Sequence, residues 1–111
     1  MSPNLIDQFH SAMVAIYDAG LMLKPPYRAG LFLRMVREHG GKGTADRLLA
    51  TVSPSSGFTE LYLRGKENLK ISVEYLVLQT PWRDMFTEDQ RAVARKRLND
   101  VGCSPPPEDV E

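Results

Sequence analysis

Apolar residues recur along this chain at three- and four-residue spacing, and the period breaks wherever proline or glycine intervenes. The longest run is Leu5, Ile6, Phe9, Ala12, Met13, Ile16, Tyr17 and Gly20. At about 100° per residue these positions share one stripe, which predicts an amphipathic helix. Asn4 stands where an N-cap side chain accepts an early backbone N–H, with Asp7 three residues on. Asp7, Ser11 and Asp18 fall on the opposite side. Pro25 and Pro26 end the segment, since proline lacks the N–H that a helix needs and restricts the residue before it. A second helix is predicted over 27–39. Leu31, Phe32, Met35 and Val36 form its apolar face, with Arg34, Arg37 and Glu38 pointing away. Gly40-Gly41 predicts its stop, because glycine accepts the left-handed backbone common just past a helix end. A third helix is predicted to start at Thr44, the hydroxyl acting as N-cap, and to run through Ala45, Leu48, Leu49 and Val52. SPSSG, residues 53–57, is turn chemistry.

Phe58, Leu61 and Tyr62 then predict a helix closed by Gly65, followed by a charged connection, KENLK. The stretch ISVEYLVLQT reads two ways. Ile71, Val73, Tyr75 and Val77 alternate as in a strand, whereas Val73, Leu76, Val77 and Thr80 fit a helix. A lone strand has no partner in this chain. Ser72 is a good N-cap and Glu74 opposes the helix dipole favourably, so the helix is preferred. Thr87 and Gln90 form a capping box ahead of Val93, Ala94, Leu98 and Val101, and Gly102 ends that helix. The pattern as a whole predicts an all-α, compact single-domain bundle of five to six short helices over 1–102. The remainder, 103–111, is Pro-rich and acidic and is predicted to be disordered.

Length and composition narrow this picture. A chain of 111 residues supports one domain, and 42% hydrophobic with 25% charged residues is ordinary for a globular protein. Fourteen Lys and Arg balance fourteen Asp and Glu, so any contact with nucleic acid requires a local basic patch. One cysteine excludes an intramolecular disulfide and fits a reducing cytoplasm. The first ten residues lack a basic region followed by a continuous apolar run, so no signal peptide is expected. No apolar stretch approaches the roughly 18–20 residues that span a bilayer. The expectation is a cytoplasmic protein without membrane contact.

Candidate chemistry is sparse. His10 and His39 lie in different helices, and neither HExxH nor closely spaced cysteines occur, so no metal or cofactor is expected. Cys103, between a helix-ending glycine and three prolines, is expected to be exposed and has no activating base in sequence. GGKGT, residues 40–44, resembles part of a phosphate loop, but Lys42 is followed by Gly43 and the segment follows a helix. A weaker anion site remains there, where backbone N–H groups open a helix beside Lys42. Arg34, Arg37, Lys42, Thr44 and Arg47 together form a candidate strip for nucleic acid or another anion. The predicted Thr44 helix, the SPSSG turn and the Phe58 helix have the order of a helix-turn-helix. Its turn is long for that motif, and its second helix offers only Thr59, Glu60 and Arg64 to bases. Glu74, among Val73, Tyr75, Leu76 and Val77, is expected to be partly buried and to need a cation. Arg28, on the apolar side of the second helix, is the candidate partner for a structural ion pair. Trp82 and Arg83 are candidate anchors for a partner protein, because Trp and Arg are frequent hot spots; the alternative is that Trp82 caps the core with Phe86. Glu74, His39 and Cys103 are the enzyme candidates, and no spacing unites them.

The segments FLRMVREHGGKGTADRLL, GFTELYLRG and LKISVEYLVLQTPWRDMFTEDQRAVARKRL, within roughly 27–98, resemble a group of small bacterial helical proteins. The likeness rests on Gly40-Gly41, Gly57-Phe58, Ser72 to Glu74, Trp82 and Phe86-Thr87. It implies a compact helical bacterial module without catalytic residues, of a kind found with mobile elements or defence genes. It also implies a helix over 72–79. The expected function is therefore non-catalytic binding through a partner protein, as an adaptor or inhibitor of a nucleic-acid-processing or defence system. The alternative is a small nucleic-acid binder using the basic strip. The predicted core includes Phe58 and Trp82. Phe58→Ala or Trp82→Ala should lower the melting temperature, losing about 3–5 kcal/mol for a buried aromatic. Unchanged melting would move the residue from core to binding surface.

Overall fold

The computed structural model describes residues 4–107, and among them the fold is all-α, with no strand. Helix α1 spans Leu5–Leu21, and Asn4 Oδ1 accepts the Asp7 N–H at 2.8 Å as its cap. Phe9 and Met13, from the predicted stripe, are fully buried. The two helices predicted next form as the two arms of α2, Gly30–Leu49, which meet at a kink. Gly40, at φ 77° and ψ 166°, stops the first arm, 30–39, as expected, and the chain turns there into the second. Only glycine adopts that backbone freely. The second arm, 41–49, therefore begins before Thr44, which is buried inside it instead of capping it. The helix also stops at Leu49, so Val52 is exposed.

The turn at Gly40 is sharp. In a straight helix Leu31 and Leu48 would stand about 25 Å apart, at 1.5 Å rise per residue. Here both line one cavity. The new N-terminus at Gly41 has no side-chain cap of its own. Its N–H donates instead to His10 Nδ1 of α1, at 3.0 Å. This long-range bond is the equivalent of an N-cap, supplied by a neighbouring helix. It requires close approach: a Cβ added at Gly41 would lie 2.7 Å from His10 Cα.

Helix α3 spans Ser56–Leu63, with Ser55 Oγ accepting the Phe58 N–H. The expected charged connection is a 3-10 turn, Lys66–Ile71, and its Leu69 is fully buried. Helix α4, Val73–Leu76, is a single turn capped by Ser72, whose Oγ accepts the Tyr75 N–H at 3.2 Å. A second 3-10 turn, Trp82–Met85, leads to α5, Glu88–Asp100. The capping box of α5 forms in both directions between Thr87 and Gln90. Phe9 centres the core, meeting Trp82 and Phe86 edge-on at 5.7 and 5.4 Å between ring centroids.

One expectation about the C-terminal segment changes. Cys103 is buried, not exposed, and its N–H donates to the Leu98 carbonyl at 2.9 Å. Gly102, at φ 77°, turns the chain so that Cys103 folds back under α5. Residues 108–111 of the expected disordered tail lie outside the described residues. Among the described residues no helix is long and apolar enough to cross a membrane.

The packing at Gly41 leads to a paired prediction. Gly41→Ala drives a methyl into the backbone of α1 and should destabilise by about 1–3 kcal/mol, as overpacking does. At Gly30 an added Cβ meets no atom within 4 Å, so Gly30→Ala should not destabilise. Thermal melts of both variants check this; equal melting temperatures would show that α1 and α2 separate without cost.

Candidate functional site

The kink in α2 shapes an apolar cleft of about 90 Å3. Ile16 of α1, Leu31, Phe32 and Met35 of the first arm, Leu48 of the second arm, Phe58 of α3 and Val73 of α4 form its walls. Leu31 is 68% exposed, so it stands at the mouth. Two serines of the walls are already committed. Ser55 and Ser72 cap helices, and Ser72 also donates to the Leu69 carbonyl at 2.6 Å. Tyr27 lies under the Arg64 guanidinium, 5.1 Å from its ring centre. Burial raises the Tyr27 hydroxyl above its ordinary pKa, Glu60 adds to this and Arg64 opposes it.

Glu74 closes the polar end of the cleft, and its cation is Arg97 rather than Arg28. Arg28 is exposed, because it precedes the first turn of α2 instead of lying on its inner face. The Arg97 Nη1 donates to Glu74 Oε2 at 2.9 Å, with side-chain exposures of 6% and 4%. The same guanidinium donates to the Leu48 carbonyl at 3.0 Å and to the Thr51 carbonyl at 2.7 Å. It also reaches Thr51 Oγ1 at 3.1 Å. Burial pushes the Glu74 carboxyl above its ordinary value, with the Arg97 hydrogen bond acting the other way. Arg97 was legible as an inward residue. Val93, Ala94, Leu98 and Val101 flank it at one and at three to four residues, so it lies within the apolar stripe of α5.

The predicted basic strip is only partly assembled. Arg34 and Arg37 are exposed on the first arm, and Arg34 pairs with Glu38 at 3.4 Å. Arg47 is exposed and donates back to the Gly43 carbonyl. Lys42 is held by Asp46 at 2.8 Å and lies over the Phe86 ring at 4.7 Å. Thr44 leaves the strip: it is fully buried in the core-facing side of the second arm, so its hydroxyl reaches no external anion. The helix-turn-helix order also loses Arg64, which donates to Glu60 and to the Pro25 and Pro26 carbonyls. On the last helix, Glu88 is shared by Arg95 and Arg91, which hold its carboxyl below the ordinary value.

Trp82 is half-buried against Phe9, which is the position of a core cap. Arg83 beside it is half-buried, and its carbonyl accepts from Arg91 at 2.7 Å. The enzyme candidates occupy unlike settings. Glu74 is paired and buried, His39 is exposed beside Glu38, and Cys103 is buried under α5. Among the described residues no group of three or more His, Cys, Asp or Glu is placed to hold a metal ion. His10, ordinary in sequence, proves to be the cap of the second arm of α2. Nothing in the local sequence marks that role, because its partner lies 31 residues away. In comparisons with known proteins, no family model, curated protein or solved structure matches this chain.

The Glu74–Arg97 pair generates a stability prediction. Arg97→Met leaves a buried carboxylate alone and should cost about 3–5 kcal/mol, most of it recovered in Glu74→Leu/Arg97→Met. The pH dependence has a definite sign. The folded-state pKa of Glu74 is raised, so its contribution is fully present below the ordinary 4.5 and is lost as pH rises through the folded value. The native chain should therefore lose stability relative to Glu74→Gln as pH rises across that window. Melting curves at a series of pH values read this; the opposite slope would mean that Arg97 outweighs burial.

Proposed function

We propose that this chain is a non-catalytic binding module that acts through a partner protein, as an adaptor or inhibitor. The observation that carries this reading is Leu31, 68% exposed at the mouth of an apolar cleft. A single exposed leucine is ordinary, but one that continues into an open apolar cavity is the form of a recognition pocket. Glu74 in the cleft wall and Arg64 over Tyr27 are both engaged in structural pairs, which supports binding over catalysis. A nucleic-acid-processing or defence system is the proposed setting, in line with the sequence resemblance.

A second reading, a small nucleic-acid binder, keeps the support of Arg34 and Arg37, exposed one turn apart on α2. It is weakened by the loss of Thr44 and the engagement of Lys42. Duplex binding through such residues would fall steeply with salt.

Two measurements separate the readings. Leu31→Asp should keep the melting temperature yet abolish recovery of one stoichiometric protein partner from cell extract. Retention of that partner would place the interface elsewhere. Fluorescence anisotropy with duplex and single-stranded DNA should show no saturable binding at near-physiological salt. Saturable, salt-sensitive binding lost in Arg34→Glu/Arg37→Glu would favour nucleic acid instead.

A further inference from the structure

The chain carries equal numbers of cationic and anionic residues, yet they are not evenly placed. From residue 24 to residue 37 there are four cations, Lys24, Arg28, Arg34 and Arg37, and no carboxylate. All four are exposed. This same segment supplies Leu31, Phe32 and Met35 to the cleft. Arg34 follows Leu31 by three residues on the same face of α2, and Arg28 precedes the helix by two, so positive charge borders the segment that carries Leu31. We infer that the cleft takes an acidic protein segment that inserts one apolar side chain between carboxylates. This rests on the partner-protein reading above and names the chemistry of the partner.

The size of the cavity sets the anchor. An engineered apolar cavity of about 150 Å3 holds a benzene molecule. The cleft here, about 90 Å3, admits one Leu-sized side chain and no second. Its walls supply dispersion contacts, and its one carboxylate, Glu74, is already neutralised by Arg97. The anchor is therefore apolar and not cationic. The rim sets the flanks. The Arg34–Glu38 pair is solvent-exposed on both sides, and such pairs contribute little, so Arg34 can exchange Glu38 for a carboxylate of the partner. Charge complementarity at a rim acts on encounter rate and on selection against wrong partners. A phosphate backbone would meet the rim but leave the cavity empty, which is why a protein segment is favoured.

The test uses methyl-detected NMR titrations of the full chain with three short helical peptides. Each carries the same central Leu, with flanking positions all Glu, all Gln or all Lys. The Glu peptide should shift the methyls of Leu31, Met35 and Leu48 saturably, and bind about tenfold more tightly than the Gln peptide, the size expected of one or two rim pairs. That preference should fade with salt. Arg28→Glu/Arg34→Glu, both at exposed positions, should keep the melting temperature and reverse the preference towards the Lys peptide. Equal binding of all three peptides at the cleft would overturn the acidic partner while leaving the partner-protein reading intact. Cleft methyls unmoved by any peptide would overturn both. A concentration-dependent shift of those methyls without peptide would assign the cleft to a second copy of the chain and overturn the inference. Duplex DNA that perturbs Arg34 and Arg37 but not the cleft would assign the rim to phosphates, with the same consequence.

Discussion

Arg97 is where three parts of the chain are tied together. Its guanidinium emerges from the apolar stripe of α5 and donates to the Glu74 carboxylate of α4 and to the Leu48 and Thr51 carbonyls at the end of α2. The last carbonyls of a helix have no partner within it, and a cation there suits both their hydrogen bonding and the helix dipole. A planar fork with five donors meets four acceptors here, the carboxylate, two carbonyls and Thr51 Oγ1, one more than the three N–H groups of a lysine can. The pair is buried, so each charge requires the other. Helix α4 is one turn long and has almost no intrinsic stability. What keeps it in place is its Ser72 cap, its buried Val73 and this ion pair.

The second constraint is geometric. Gly40 kinks α2 sharply, and the new N-terminus is completed by His10 from α1. The approach of Gly41 to the His10 backbone leaves no room for a side chain. Together these bring Leu48 beside the first arm and open a cleft whose walls come from four helices. The cleft therefore depends on both the kink and the Arg97 node, since Leu48 belongs to one and its carbonyl to the other.

Placement of charge completes the picture. A neutral chain exerts no long-range field, but a run of cations beside an apolar opening is a local field with a definite partner. Most other charged groups are consumed within the fold, as in Lys42–Asp46, Arg64–Glu60 and the Glu88 cluster. The segment before Glu38 is the stretch in which basic side chains face outwards without acidic neighbours in sequence.

The all-α class, the α1 stripe, the caps at Asn4, Ser72 and Thr87, and the inward positions of Phe58 and Phe86 are all legible in the chain's local pattern. These follow from local rules: a period near 3.6, a hydroxyl or amide one residue before a helix, a proline or glycine at its end. Arg97 was also locally legible, as a cation inside an apolar stripe. Only the tertiary structure decided the rest. Gly40-Gly41 reads as a stop, and Gly40 is one, but the freed Gly41 N–H finds His10, so a second arm begins at once and not at Thr44. Thr44 has the chemistry of a cap, but packing draws it inside. Cys103 follows a helix-ending glycine, yet the turn at Gly102 folds it into the core. Arg28 and Arg97 were equally able to neutralise Glu74 on charge alone, and the choice between them is made by distance, which no local pattern encodes.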